Sequence, residues 1–182
     1  MSDEHILFER DGLMVRHLEK EDIPYMAKWL SDPELLEFYE GRDNPFNEER
    51  ILKVFYEEVK GRKDSCLILY DGLPVGYFQC YPINREERAA YGYSGSDGII
   101  YGMDQFIGEG DYRDRGIGQM LVKAAIDFLK EKKGAVKVVL DPQIRNQRAV
   151  ACYYKCGFRI VKELHGHEWH EGKYEDCYVM EV

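Results

Sequence analysis

The sequence lacks several features that would place it in common protein classes. No apolar run is long enough to span a membrane, and the first residues, MSDEHILFERDG, lack the basic start and apolar stretch of a signal peptide. Basic residues are outnumbered, 25 against 34 acidic ones, which gives a formal net charge of −9. We therefore expect a cytoplasmic protein with no membrane or nucleic-acid partner, and the acidic balance favours a cationic ligand.

Cysteine is sparse and has no metal-ligand spacing. Cys152 and Cys156 are four residues apart on a predicted helix, and one shared buried face explains them better than a metal site, since no second Cys or His pair accompanies them. Three histidines fall in the segment His165–Glu171, but not at the H-E-x-x-H spacing of zinc proteases. We predict no metal, and we expect this segment to be a solvated or substrate-lining loop. The five cysteines, an odd number read as core fillers, are Cys66, Cys80, Cys152, Cys156 and Cys177.

The glycine signatures of dinucleotide and nucleoside triphosphate sites are also missing. The stretch YGMDQFIGEGDYRDRGIGQML contains neither GxGxxG nor the Lys-Ser/Thr ending of a Walker loop. What it does contain is Arg113-x-x-Gly116-x-Gly118, placed after a strand pattern and at the start of a helix pattern. A helix start offers unpaired N–H groups and partial positive charge, and glycine lets an anion approach the backbone. The turn therefore predicts a site for a pyrophosphate.

The chain is long enough for one domain, which we assign to residues 1–182, and 45% hydrophobic content suffices for a core. Periodicity predicts the order strand, two helices, three strands, helix, strand, helix, two strands. This order predicts an α/β (α+β) fold. The segments are, in chain order, LMVRHLE, EDIPYMAKWLSD, NEERILKVFYEEVK, SCLILY, PVGYFQCY, GIIYGMDQFIG, GIGQMLVKAAIDFLKEK, AVKVVLD, NQRAVACYYKCGF, FRIVKEL and YEDCYVMEV.

The turn resembles the acyl-CoA loop of the GCN5-related N-acetyltransferases, R/Q-x-x-G-x-G/A. The segments YGMDQFIGE, LDPQIRNQRAVACYYKCGFRI, EFYEGRD and HEGKYEDCYVMEV are further similar to aminoglycoside 6′-N-acetyltransferases, most of all to the acetyltransferase half of the bifunctional acetyltransferase and phosphotransferase. The resemblance implies that family's fold, a mixed and mostly antiparallel sheet flanked by helices. It also implies acetyl-CoA as cofactor, a polycationic aminoglycoside as partner, a monomer or homodimer, and no kinase domain.

Two side chains would supply the proton transfers that amine acetylation requires. An ammonium has no lone pair, so the acceptor must lose a proton, and the resemblance assigns that proton to Asp104 in the apolar segment MDQFI. A carboxylate there is costly to bury without a cation, and a bound ammonium is one. For the departing thiolate the resemblance places the donor at Tyr153. Tyr154 points about 100° away on a helix, so only one of the two faces the cofactor, and core packing is the alternative for either.

The other cofactor residues follow from the same resemblance. Asn146 opens the helix that carries Tyr153, where capping is a simpler role than contact with the pantetheine arm. A backbone N–H at Gln105 or Phe106 is expected to stabilise the oxyanion. The predicted cofactor residues are Gln105, Phe106, Ile107, Arg113, Asp114, Arg115, Gly116, Ile117, Gly118, Asn146 and Tyr153.

An aminoglycoside carries several ammonium groups, so its site should gather carboxylates. Asp141 is the best candidate, because it ends a predicted strand beside the cofactor cleft. The predicted substrate residues are Glu37, Tyr39, Glu40, Asp97, Tyr101, Asp104 and Asp141. Other acceptors stay open at this stage: a polyamine, a siderophore precursor or a protein N-terminus, or no turnover at all in a member that only binds acyl-CoA or a drug.

Overall fold

The computed structural model describes residues 5–182, and their strands form one eight-stranded sheet. Within this part of the chain no helix has the length and apolarity needed to cross a membrane. The strands are β1 (Ile6–Arg10), β2 (Leu13–His17), β3 (Asp64–Tyr70), β4 (Leu73–Pro82), β5 (Ile99–Ile107), β6 (Ala135–Leu140), β7 (Arg159–His170) and β8 (Lys173–Glu181). The helices are α1 (Ile23–Trp29), α2 (Pro33–Leu36), α3 (Glu48–Ile51, continued by a π-helical segment Leu52–Glu57), α4 (Arg85–Tyr91), α5 (Ile117–Glu131) and α6 (Gln147–Lys155).

The sheet is mixed and mostly antiparallel, as predicted. Its strand order is β1-β2-β3-β4-β5-β6-β8-β7. Every neighbouring pair is antiparallel except β5 and β6, which run parallel. The helix α5 connects these two strands, as a parallel pair requires a crossover.

Alternating side chains of the central strands pack against different helices. Ile68 and Phe78 belong to the cluster that contains α5, whereas Leu67 and Tyr77 belong to the cluster formed with α1, α2 and α3. This alternation is the period of two expected of a strand buried on both faces. The sheet is therefore the middle of three layers, which holds its strand ends rigidly.

The sheet opens where β5 separates from β6. The parallel pairing ends at Gly102 and Val139, whereas β5 stays paired with β4 as far as Ile107. Residues 103–107 therefore have one edge without a partner strand in the described pairing. An open strand edge presents backbone N–H and C=O groups to whatever enters the gap.

Several elements differ from the sequence-based prediction. The strand β1 and the helix α2 were not predicted, and the charged segment 83–97, for which no element was predicted, contains α4, which starts with a capping box formed by Asn84 and Glu87. The helix ends at Gly92, whose φ of 93° is left-handed. The segment with three histidines was expected to be a loop, but it forms the last part of β7.

Candidate active site

Two clefts meet where the sheet opens. The first, which we call the acidic cleft, has a volume of about 440 Å³ and the second, the loop cleft, about 420 Å³. They share a wall formed by Phe38, Tyr39, Gln105, Asn146, Ala149 and Tyr153. The acidic cleft continues along β4, the end of β6 and β7, whereas the loop cleft continues towards the start of α5. A molecule in each cleft would thus meet the other at the open edge of β5.

Asp104 forms part of the acidic cleft and its carboxylate is held by two donors on β4. Gln79 Nε2 donates to Asp104 Oδ2 at 2.6 Å, and Tyr81 donates its hydroxyl to the same oxygen at 3.1 Å. Burial and then the nearby Asp141 carboxylate raise the pKa of Asp104, against the two hydrogen bonds, to about 6. A carboxyl group with this pKa is largely ionised near neutral pH yet basic enough to accept a proton.

Asp141 is the second carboxylate of the acidic cleft. Its Oδ2 accepts a hydrogen bond from Tyr91 at 2.7 Å and lies 2.9 Å from His167 Nε2. The hydrogen bond to Asp141 raises the pKa of His167. The sequence did not single out Tyr91 or His167 as partners of Asp141, because they come from α4 and β7, far away in the chain.

Glu168 is a third carboxylate of the cleft that the sequence-based list omitted. Burial raises the pKa of Glu168, and the buried Gln143 donates to its Oε1 at 3.1 Å. In the sequence Glu168 belongs to the segment with three histidines, which forms the end of β7 but has no apolar alternation that would mark it as a strand. Three carboxylates from β5, the end of β6 and β7 therefore line one cavity.

Tyr153 lies on the wall between the clefts. Its hydroxyl accepts a hydrogen bond of 2.8 Å from Gln105 Nε2, which leaves the hydroxyl proton free to be donated elsewhere. Burial raises the pKa of Tyr153. Tyr154 lines neither cleft and is 51% exposed, so of the adjacent pair only Tyr153 faces the site.

The start of α5 faces the loop cleft through Gly118 and has no side-chain cap. Gly116 precedes the helix with a left-handed φ of 80°, and a Cβ at this position would meet no atom within 4 Å. At Gly118 a Cβ would lie 4.0 Å from Cys152 Sγ of α6. The backbone N–H groups of this first turn are therefore accessible to an anion. Ile117 is buried beneath the turn and anchors it in the core.

The charged side chains of the predicted loop are mostly engaged with protein groups. The Arg113 guanidinium donates to the carbonyls of Ile107 and Gly108, at 3.0 Å each, and forms ion pairs with Asp32 and Glu34, also at 3.0 Å. Arg113 thus clamps the end of β5 to the start of α2, and its side chain is not a free anion ligand.

The next two loop residues, Asp114 and Arg115, do not line the clefts. Asp114 forms an exposed ion pair of 3.2 Å with Arg148, and the Arg115 guanidinium lies 5.0 Å from the centre of the Tyr112 ring. Both side chains are exposed and line neither cleft. What the loop offers to a ligand is chiefly its backbone.

The structure brings most of the other predicted residues to the clefts. Asn146 Oδ1 accepts from Ala149 N at 3.2 Å, so capping of α6 is confirmed. Phe106 and Ile107 line the loop cleft, and Gln105 lines both. Tyr39 also lines both, and its ring lies 4.8 Å from that of Phe106.

The remaining predicted acidic residues divide between the clefts and the surface. Glu40 lines the acidic cleft, whereas Glu37 lines the loop cleft, where it is 3.8 Å from Arg145. Asp97 and Tyr101 are not brought to either cleft. Asp97 is exposed ahead of β5, and Tyr101 packs in the cluster with α5, because its side chain projects from the other sheet face. We therefore assign Tyr101 to the core.

Metal-ligating side chains do not assemble within the described part of the chain. No group of three or more His, Cys, Asp or Glu residues there has the arrangement of a metal site, and the five cysteines are free thiols. Cys152 and Cys156 lie where α6 approaches α5, with Cys156 Sγ 3.7 Å from the carbonyl of Gln119.

Comparisons with known proteins agree with this geometry. Residues 19–165 match the family model described as "Acetyltransferase (GNAT) domain". An aminoglycoside N(6′)-acetyltransferase type 1 of Klebsiella pneumoniae is 23% identical over 150 residues, which cover 81% of this chain and 74% of the relative.

Two solved structures have similar folds. Aminoglycoside acetyltransferase AAC(6′)-Ib with coenzyme A has a TM-score of 0.71 at 20% identity, covering 93% of this chain and 94% of that one. Spermidine N-acetyltransferase from Vibrio cholerae with CoA and spermine has a TM-score of 0.76 at 16% identity, covering 95% of this chain and 96% of that one. The chain therefore belongs to the GNAT family of acetyltransferases, which use acetyl-CoA.

Proposed function

We propose that this protein transfers the acetyl group of acetyl-CoA to the 6′-amine of an aminoglycoside. One observation carries the proposal: the carboxylate of Asp104, with its raised pKa, lies in an acidic cleft that shares a wall with the loop cleft. An acetyl donor in the loop cleft and a polycation in the acidic cleft would meet beside this base.

The loop cleft suits acetyl-CoA on three counts. The uncapped first turn of α5 matches a pyrophosphate, and the open edge of β5 offers backbone partners to an extended amide-bearing arm. The apolar side chains of Phe106, Ile107 and Leu121 line the same space. When bound, acetyl-CoA supplies the acetyl group as a thioester, an acyl donor activated towards amines.

Three groups of this chain would handle the proton and the charge. Asp104 Oδ1 accepts the proton that the amine releases, and the nitrogen electron pair becomes free to form the new amide bond. A backbone N–H at Gln105 or Phe106, on the open edge of β5, supports the negative charge that develops on the acetyl oxygen. Tyr153 gives its hydroxyl proton to the sulfur that leaves, since its oxygen is already held by Gln105.

The charge of the acidic cleft supports a polycationic acceptor. Besides Asp104, the cleft is lined by Glu40, Asp141 and Glu168, which would pair with the other ammonium groups of an aminoglycoside. Trp169 lies at the rim with 60% of its surface exposed and offers a face to a sugar ring. The relatives named above are aminoglycoside or spermidine acetyltransferases, and both acceptors are polycations. The narrower likeness to the bifunctional enzyme stays a prediction of the sequence.

The test measures acetyl-CoA-dependent thiol release with matched acceptors. Kanamycin has an amine at the 6′ position and paromomycin a hydroxyl, so the pair differs at the group proposed to react. We expect rapid release with kanamycin, little with paromomycin, and loss of release in Asp104→Asn. Spermidine is the third acceptor, because a fold neighbour has spermine bound. A higher kcat/KM with spermidine than with kanamycin would replace the aminoglycoside by a linear polyamine. Kanamycin binding without thiol release would indicate a binding protein.

A further inference from the structure

Gln79 holds Asp104 by one carboxylate oxygen. The two residues are directly opposite in the antiparallel register of β4 and β5, so their side chains project from the same face. Gln79 Nε2 and the Tyr81 hydroxyl both donate to Asp104 Oδ2, at 2.6 and 3.1 Å. With Oδ2 engaged by two donors, Oδ1 is the oxygen left to take a proton from a molecule in the acidic cleft.

The direction of the Gln79 amide is set by a buried pair of hydroxyl groups. A glutamine amide has a donor end and an acceptor end, so its orientation depends on its partners at both. Tyr77 donates its hydroxyl to Gln79 Oε1 at 3.1 Å, and Ser65 Oγ lies 2.8 Å from the Tyr77 oxygen. Ser65 Oγ also lies 2.6 Å from the carbonyl oxygen of Phe55. A carbonyl oxygen only accepts, so the Ser65 proton goes to Phe55 and the Tyr77 proton goes to Gln79 Oε1, while Ser65 Oγ stays in contact with the Tyr77 oxygen.

We propose that Gln79 is a positioning residue for Asp104, and that Tyr77 and Ser65 keep its amide nitrogen turned towards the carboxylate, so that Oδ1 acts as the base. This inference rests on the proposed role of Asp104 as the proton acceptor. Gln79 is 8% exposed and Tyr77 is fully buried, so the network is built into the sheet. Tyr77 lines neither cleft and is therefore out of reach of an acceptor bound there.

The other groups that act electrostatically on Asp104 are independent of Tyr77. The carboxylates of Asp141 and Glu40 disfavour the ionised form of Asp104, whereas the Lys63 ammonium favours it. Tyr81 donates its own hydrogen bond, and the Lys63 ammonium lies 4.2 Å from the centre of its ring. Tyr77 forms no hydrogen bond with any of these side chains, and its hydrogen-bonded link towards Asp104 runs through Gln79.

The pH dependence of kcat/KM separates positioning from general stability. The acidic limb of this profile is the pH range in which kcat/KM falls as Asp104 becomes protonated. Gln79→Leu removes a donor to the carboxylate and should move this acidic limb to higher pH by about one unit. Tyr77→Phe should move it in the same direction by less, because the amide can then turn its oxygen to the protonated acid. The matched control is Tyr93→Phe, which removes a buried hydroxyl that donates to Glu181 at 2.6 Å, away from both clefts. It should leave the limb in place even if it lowers the melting temperature.

A direct titration keeps this test separate from the proposed function. Carbon-13 NMR of aspartate-labelled protein follows the Asp104 carboxyl without turnover, with the resonance assigned by its loss in Asp104→Asn. A raised Asp104 pKa in both Gln79→Leu and Tyr77→Phe supports the inference, even if no aminoglycoside is acetylated. An unchanged pKa in folded Tyr77→Phe overturns the assigned role of Tyr77 and Ser65, and an unchanged pKa in Gln79→Leu overturns the positioning role itself.

Discussion

Because the pKa of Asp104 is raised, we predict that kcat/KM begins to fall at an unusually high pH as the solution is made more acidic. The pKa of Asp104 is about 6, compared with an ordinary value of 3.8. At pH 5 only about one tenth of such a carboxyl group is ionised, whereas an unperturbed aspartate would be more than about 90% ionised. If the ionised form accepts the amine proton, kcat/KM at pH 5 should be about tenfold below its plateau.

The assay is the initial rate of thiol release at low acceptor concentration, measured from about pH 4.5 to 8 with the acetyl-CoA concentration held saturating. Asp104→Asn should lose activity by a factor of about 10² to 10⁴ and should also lose the limb. Asp141→Asn provides a second check, because the Asp141 charge raises the pKa of Asp104. Its removal should move the limb to lower pH.

Two results would refute this reasoning. A wild-type limb near pH 4 would mean that burial does not perturb the reacting group. A normal plateau with the same limb in Asp104→Asn would assign the limb to another residue, and the base would have to be sought elsewhere in the acidic cleft.

Three further predictions concern the other parts of the site. Gly116→Asp should raise KM for acetyl-CoA about tenfold more than Gly116→Ala does, because both strain a left-handed φ but only Asp adds charge beside the pyrophosphate. Tyr153→Phe should lower kcat roughly a hundredfold with little change in KM. Tyr154→Phe, at the exposed neighbour, should leave both constants unchanged. Equal effects of the two variants would refute the assignment of the proton donor to Tyr153. Arg113→Met should lower stability by about 3 kcal/mol in thermal unfolding, since two carbonyls and two carboxylates lose a buried donor, and Arg115→Met should not.

The sheet and the cofactor loop were readable from local sequence patterns. Period-two and helical patterns located β2 to β6 and the long helix α5, and the glycine-bearing turn between β5 and α5 located the uncapped start of that helix. These signals are local because each depends on residues within one element or its cap. The capping box at Asn84 was readable too, but the charge of the following residues favoured a loop over α4.

The acceptor side of the site was less predictable because it is assembled from distant elements. Asp141 was identified, but its partners Tyr91 and His167 come from α4 and β7. Glu168 was omitted because a mostly exposed strand that is interrupted by Gly166 resembles a loop in sequence. Tyr101 was included because sequence does not tell which face of β5 becomes the cleft. Register and face are properties of the whole sheet, and a single strand does not specify them.

One topological feature explains why Asp104, the start of α5 and Tyr153 converge. Had β6 continued to pair with β5 beyond Gly102, residues 103–107 would have a partner strand on both edges, and no gap would separate the two strands. Because β6 turns away, the backbone next to Asp104 is open on one edge, while β4 still holds its carboxylate from the other. α6 follows β6 and brings Tyr153 to the far side of the same gap. The carboxylates that would bind a polycation also surround Asp104, so the charge that attracts the acceptor contributes to the raised pKa that suits the base.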